Sequence, residues 1–193
     1  MAGISVILCG TIMANGNVLA PFQPKNHDHG KCVVDAIEAA EARCARDGRS
    51  FTPLRRRVLE LVWSSHGPVG AYDLLDALRA ERRGAAPPTI YRALDFLMGN
   101  GLIHRIESQN AYVGCGSPDH HPDHHHGGQF LICRDCGSVA ELDDPAIART
   151  VAKRARALGF DAESQTIEVS GLCPRCTRTP EGGTADSLER HAS

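Results

Sequence analysis

Two Cys-x-x-Cys pairs, Cys133 with Cys136 and Cys173 with Cys176, constrain this chain more than anything else in it. Thirty-six residues separate the inner cysteines, Cys136 and Cys173. That spacing fits one tetrahedral thiolate site closing a small α/β unit, the arrangement in which zinc is held structurally. A redox dithiol needs only one such pair, so two copies flanking one subdomain argue for four ligands. Eight cysteines would also suit a secreted disulfide scaffold. The beginning of the chain speaks against export. Ile4 to Leu8 is apolar but too short for a membrane span and has no cationic lead, and Cys9 follows Leu8 rather than a small residue. A cytoplasmic protein with reduced thiols and no membrane partner is expected.

A second set of metal-binding side chains precedes and overlaps the first knuckle. His104 sits in the strand-like His104-Arg-Ile-Glu, Cys115 follows, and the next loop holds His120, His121, His124, His125 and His126. Glu141 comes shortly after Cys136. Taken singly these are an exposed strand histidine, a buried thiol, a polar loop and a surface glutamate. Together, His104, Cys115, one loop histidine and Glu141 make a tetrahedral N/S/O set, and the thiolate favours zinc over ferrous iron or manganese. The ligands come from both halves of the chain. Metal held there would fix the relative pose of the halves.

The half before His104 is different in kind. The net charge of the whole chain, −2, gives no hint of an acidic partner. Between Arg43 and Arg105, however, eleven arginines stand against six acids and no lysine, the local imbalance expected where a domain meets phosphate. Helices are predicted from about Cys32 to Asp47, from Pro53 with Thr52 as cap and Arg55, Arg56 and Arg57 on the exposed side, from Ala71 to Arg83, and from Pro87 to Met98. On the last, Ile90, Leu94, Leu97 and Met98 share one face; Thr89 and Arg92 fall opposite, with Tyr91 at the border. Leu102 to Ile106 and Ala111 to Val113 then read as a hairpin. Three helices and a hairpin make a winged helix, whose last helix enters a DNA major groove. Arg92 is the expected base contact, with Thr89, Tyr72 and Arg55 nearer the phosphates.

The remainder divides simply. Residues 1–30 read as a disordered arm, 31–114 as the winged-helix DNA-binding domain and 115–128 as a His-rich hinge loop. Residues 129–177 read as a small α/β unit and 178–193 as a disordered tail. Within that unit Gln129 to Cys133 and Val139 to Leu142 are predicted strands. Pro145 to Leu158 is a predicted helix with Ile147, Val151, Ala155 and Leu158 inward, and Gln165 to Val169 a last strand. The fold class is α+β. An open His/Cys/Glu site could also serve a zinc hydrolase, but the loop offers no base and the winged helix would go unexplained, so no enzyme and no small-molecule substrate are expected. The histidine loop alone would suit a zinc store or chaperone.

Several stretches together resemble the ferric uptake regulator family, most closely its zinc uptake regulator branch. They are Thr52-Pro-Leu-Arg55, Gly70-Ala-Tyr-Asp-Leu-Leu75, Pro88-Thr-Ile-Tyr-Arg-Ala-Leu-Asp-Phe96, His104-Arg-Ile-Glu-Ser108, Phe130-Leu-Ile-Cys-Arg-Asp-Cys-Gly137 and Gly171-Leu-Cys173. The resemblance covers about residues 32–177. It implies a homodimeric repressor with an N-terminal winged helix and a C-terminal α/β dimerisation domain, acting on double-stranded operator DNA with an inverted repeat. It implies two zinc ions per chain: a structural one at Cys133, Cys136, Cys173 and Cys176, and a regulatory one at His104, Cys115, His126 and Glu141. Zinc uptake genes are the implied targets. The loop between Cys115 and Cys133 is a few residues longer than usual for the branch, which leaves His124 and His125 as alternatives to His126. The closely spaced His-x-His that iron and peroxide sensors carry before the first knuckle is absent, which weakens an iron, manganese or peroxide reading.

Overall fold

The structure, a computed structural model, describes residues 18–23, 28–65, 67–81, 86–117 and 128–177. The arm before residue 18, the histidine loop and the tail after residue 177 lie outside the described residues.

The N-terminal half is built on four helices. Asp28 caps α1 (His29–Arg46) by accepting from the Lys31 amide, and Thr52 caps α2 (Pro53–Trp63) by accepting from the Arg55 amide. α3 (Ala71–Glu81) follows a two-residue strand, β2 (Val69–Gly70), and α4 (Pro87–Gly99) opens on two prolines whose fixed backbone suits a first turn. Leu59, Val62, Leu74, Leu75, Leu78, Ile90, Leu94 and Leu97 from α2, α3 and α4 meet in one core with Ala36, Ala40 and Cys44 of α1. β3 (Ile103–Ile106) and β4 (Ala111–Gly114) form the wing, joined through a 3-10 turn, Glu107–Gln109, that Asn110 closes with a positive φ. The three strands lie in the order β2-β4-β3. Gly114 is required on β4, because a Cβ there would stand 2.1 Å from the Trp63 indole.

The second sheet has the order β1-β6-β5-β7, with β5 (Gln129–Cys133) and β6 (Val139–Leu142) antiparallel and β7 (Ile167–Gly171) parallel to β5. Its outer strand, β1 (Val18–Ala20), corrects the expectation of a disordered arm up to residue 30. Three apolar residues carry too little pattern to announce a strand, but the open edge of β6 supplies the backbone partners they need. Likewise α1 begins at His29, ahead of the predicted start, and Cys32 is a buried core residue with its Sγ 3.6 Å from the Asp28 carbonyl.

The last helix corrects a second expectation. α5 (Pro145–Ala157) has no buried residue, and Ile147, Val151 and Leu158 are exposed rather than inward. Its least exposed positions are Ala148, Ala152 and Ala155, none of them buried. Phe160, Val169 and Leu172 are exposed as well, which leaves the C-terminal unit with an uncovered apolar surface.

Candidate metal centres and nucleic-acid face

Each knuckle is a tight turn at a strand end. The chain leaving β5 turns through Cys133 to Gly137, with Gly137 at φ 70°, and β6 departs at once. The backbone N–H of Gly137 donates to the Cys133 carbonyl at 2.9 Å. β7, paired alongside β5 as far as Cys133 and Gly171, delivers Cys173 to the same place. As a result one ligand atom from each of Cys133, Cys136, Cys173 and Cys176 lies within 4.8 Å of all the others. That places all four predicted structural ligands at one point. The Cys173 amide donates to Cys133 Sγ at 3.4 Å, and Arg175 reaches Cys136 Sγ at 3.4 Å and Ser138 Oγ at 2.6 Å. Hydrogen bonding from Ser138 is the main reason the Cys136 thiol is pushed down to about 5, toward the thiolate a metal requires. Sequence reasoning passed over Arg175 and Ser138; the signal was there, since a cation inside a knuckle and a hydroxyl beside one are ordinary partners of sulfur.

The second cluster is assembled from both halves. His104 belongs to β3, Cys115 follows β4, and Glu141 belongs to β6. Their ligand atoms lie within 4.8 Å of one another, and Cys115 and Glu141 are buried. Glu141 Oε2 accepts from the Gly116 amide at 2.8 Å, a contact no sequence pattern announced, and the Phe130 ring packs at 5.3 Å from the imidazole. His104 Nε2 stands 2.8 Å from Glu141 Oε1. Burial alone would lower the imidazole pKa, but the Glu141 carboxylate and Cys115 beside it hold it well above its ordinary value. Burial and the same carboxylate push the Cys115 thiol up. A buried imidazole nitrogen aimed at a carboxylate and a thiol, in surroundings that call for positive charge, fits a divalent cation, and the sulfur fits zinc. The predicted loop ligand, His126, and its alternatives His124 and His125 lie outside the described residues.

The expected DNA face is partly as the helical pattern implied. α4 buries Ile90, Ala93, Leu94 and Leu97, which leaves Tyr91 and Arg92 exposed and Thr89 half-buried; Tyr72 at the start of α3 is exposed. The three arginines of α2 are not the free surface row expected. All are half-buried. Arg57 donates to Glu60 at 2.8 Å and to Glu81, Arg56 pairs with Glu41, and Arg55 lies 3.5 Å over the Phe96 ring and donates to the Ser50 carbonyl. Acids more than ten residues away satisfy two of them, which periodicity cannot reveal.

The model of the ferric uptake regulator family matches residues 46–170. The chain is 39% identical over 142 residues to the zinc uptake regulation protein of Escherichia coli K12, covering 74% of this chain and 81% of that one. It is 35% identical over 109 residues to the zinc uptake regulation protein of Mycobacterium tuberculosis H37Rv, covering 55% and 78% of the two chains. Among solved structures, a zinc uptake regulator complexed with zinc and DNA superposes with a TM-score of 0.69 at 38% identity, covering 75% of this chain and 95% of that one. Holo XcZur superposes at 0.67 and 45%, covering 74% and 97%.

Proposed function

Because the chain belongs to the ferric uptake regulator family, we propose that it is a zinc-responsive transcriptional repressor rather than an enzyme. In this reading it binds operator DNA as a dimer when its regulatory site is filled, and represses zinc uptake genes. The observation that carries this is the buried His104, Cys115 and Glu141 cluster, contributed by the wing and by the second sheet together. Zinc bound there supplies positive charge and a preference for tetrahedral N/S/O ligation. His104 ties β3 to the site, Glu141 ties β6, and Cys115 anchors the chain as it leaves β4. One of His124, His125 and His126, with His126 preferred, is the fourth ligand.

The two zinc ions per chain have separate work. Cys133, Cys136, Cys173 and Cys176 hold the C-terminal unit together. The cluster between the halves selects a pose in which Arg92, Tyr91, Thr89, Tyr72 and Arg55 can meet DNA. A cation that binds this pose more tightly than any other shifts the population toward it, and only by the difference in affinity. The exposed stripe of Ile147, Val151 and Leu158 suits the seat of a second copy, and a two-fold dimer presenting two α4 helices calls for an inverted repeat. No helix among the described residues is long and apolar enough to cross a membrane.

The test is operator binding across a buffered free-zinc titration, beside metal content per chain. Tight, sequence-specific binding only when the second zinc is present supports the reading. Binding unaffected by zinc contradicts it.

A further inference from the structure

The strand register of the second sheet places four residues in one row across its four strands. Ala20 pairs with Glu141, Glu141 with Phe130, and Phe130 with Glu168. Residues opposite one another in a sheet share a face, and here that face is turned to the winged helix. Ala20 backs Gly116, whose added Cβ would stand 2.6 Å from the Ala20 methyl group. Glu141 meets His104 and the Gly116 amide, and Phe130 packs on the His104 ring. Glu168, at the far end of the row, reaches the tip of the wing. Its Oε1 accepts from the Glu107 amide at 2.6 Å and its Oε2 from the Ser108 amide at 3.2 Å.

Two carboxylates, one on each side of Phe130, therefore hold the same wing by different means. Glu141 accepts from the Gly116 amide beyond the end of β4, but its link to His104 on the wing itself runs through side chains that call for a cation between them. Glu168 binds backbone N–H groups directly. The turn it grips is itself stiff: Arg105 donates to Asn110 Oδ1 at 2.9 Å and lies 3.3 Å from Glu107 Oε2, while Asn110 takes the left-handed conformation that ends the turn. Between the two attachments, Ile106 and Val113 of the wing pack against Phe130 and Ile132.

We propose that Glu168 is a positioning residue, a metal-independent tether that pins the wing tip to β7 so that zinc at the other end of the row closes a hinge already attached. The inference rests on the repressor reading for its consequence but not for its geometry. A tether keeps the two halves close when the cluster is empty, and intramolecular closure from an attached state needs less from the ligand than capture of a detached domain. Glu168 belongs to neither cluster of candidate ligands among the described residues, so its loss should leave zinc stoichiometry alone. What should change is how much zinc is needed.

Two measurements on the full-length protein test this. Amide hydrogen exchange of the wild type should show Glu107 and Ser108 protected both with zinc in the knuckles alone and with both sites filled. In Glu168→Ala those two amides should exchange freely while the knuckle amides stay protected. Charge-assisted hydrogen bonds of this kind support a shift on the order of tenfold, so the free-zinc midpoint for operator binding should rise about tenfold in Glu168→Ala. Glu168→Gln, which keeps the shape and an acceptor, should fall between. Unprotected Glu107 and Ser108 amides in the wild type overturn the tether, and so does a Glu168→Ala protein with the wild-type midpoint. If the wild type shows no zinc-dependent operator binding at all, the repressor reading fails, and the exchange data still decide the tether. Should Glu168→Ala fail to fold, the wild-type exchange and the Glu168→Gln midpoint remain decisive.

Discussion

The knuckle site and the His104, Cys115 and Glu141 cluster draw on the same ligand chemistry, but they sit differently in the fold. All four knuckle sulfurs come from one unit, delivered by turns at the ends of β5 and β7 that are already paired along their length. The cluster takes one side chain from β3, one from beyond β4 and one from β6, so its members belong to two different sheets. A site closed within one unit adds its binding energy to folding. A site divided between two units adds it to their relative pose. That contrast predicts opposite phenotypes for ligands of the same type.

The largest effect belongs to the knuckles. Thiolate zinc sites in small domains contribute on the order of 10 kcal/mol of apparent folding free energy. The second sheet has little to replace it, since α5 buries no side chain of its own. Cys176→Ser should lower the thermal midpoint of the C-terminal unit and dissociate the dimer even in excess zinc, read by calorimetry and light scattering. A dimer of unchanged stability would erase the contrast.

His104→Ala should do the reverse. The protein should stay folded and dimeric and keep one zinc per chain by metal analysis, yet lose zinc-dependent DNA binding. Moving a pose equilibrium from 1:99 to 99:1 takes about 5.5 kcal/mol, and loss of one of four ligands can remove much of that. Arg92→Ala leaves both sites intact and should cost about 1–3 kcal/mol, relaxing specificity at one position per half-site in a binding-site selection. An equal loss on every sequence would make Arg92 a phosphate contact instead. Single alanine changes at His120 or His121 should be nearly silent in both zinc content and operator binding. A large effect there would move the divided site into the loop.

How much of this the sequence disclosed follows from the same contrast. The knuckles are local, four residues each, and their purpose is written in their spacing. The helices of the first half carry caps, prolines and apolar periods, so Thr52, Pro53 and Pro87 mark their ends correctly. His104, Cys115 and Glu141 were legible only as residue types and through family resemblance, because pairing between distant strands is what brings them together. Arg56 and Arg57 look like a free basic row until Glu41 and Glu81 arrive from other helices. On α5 the period of Ile147, Val151 and Leu158 is real, but periodicity shows that a face is apolar, not which surface covers it. β1 was invisible for a related reason: its stability lies in the edge of β6 and not in Val18, Leu19 and Ala20 themselves.

The central claim, that the divided site governs pose and not folding, is tested most directly at Cys115, the buried thiol between the two halves. Operator binding of Cys115→Ser and of the wild type should be measured across one free-zinc titration, with zinc content and oligomeric state determined on the same samples. The account predicts a folded dimer with one zinc per chain that does not bind operator at any zinc level to which the wild type responds. A Cys115→Ser protein that answers zinc like the wild type, or one that unfolds as Cys176→Ser should, would contradict it.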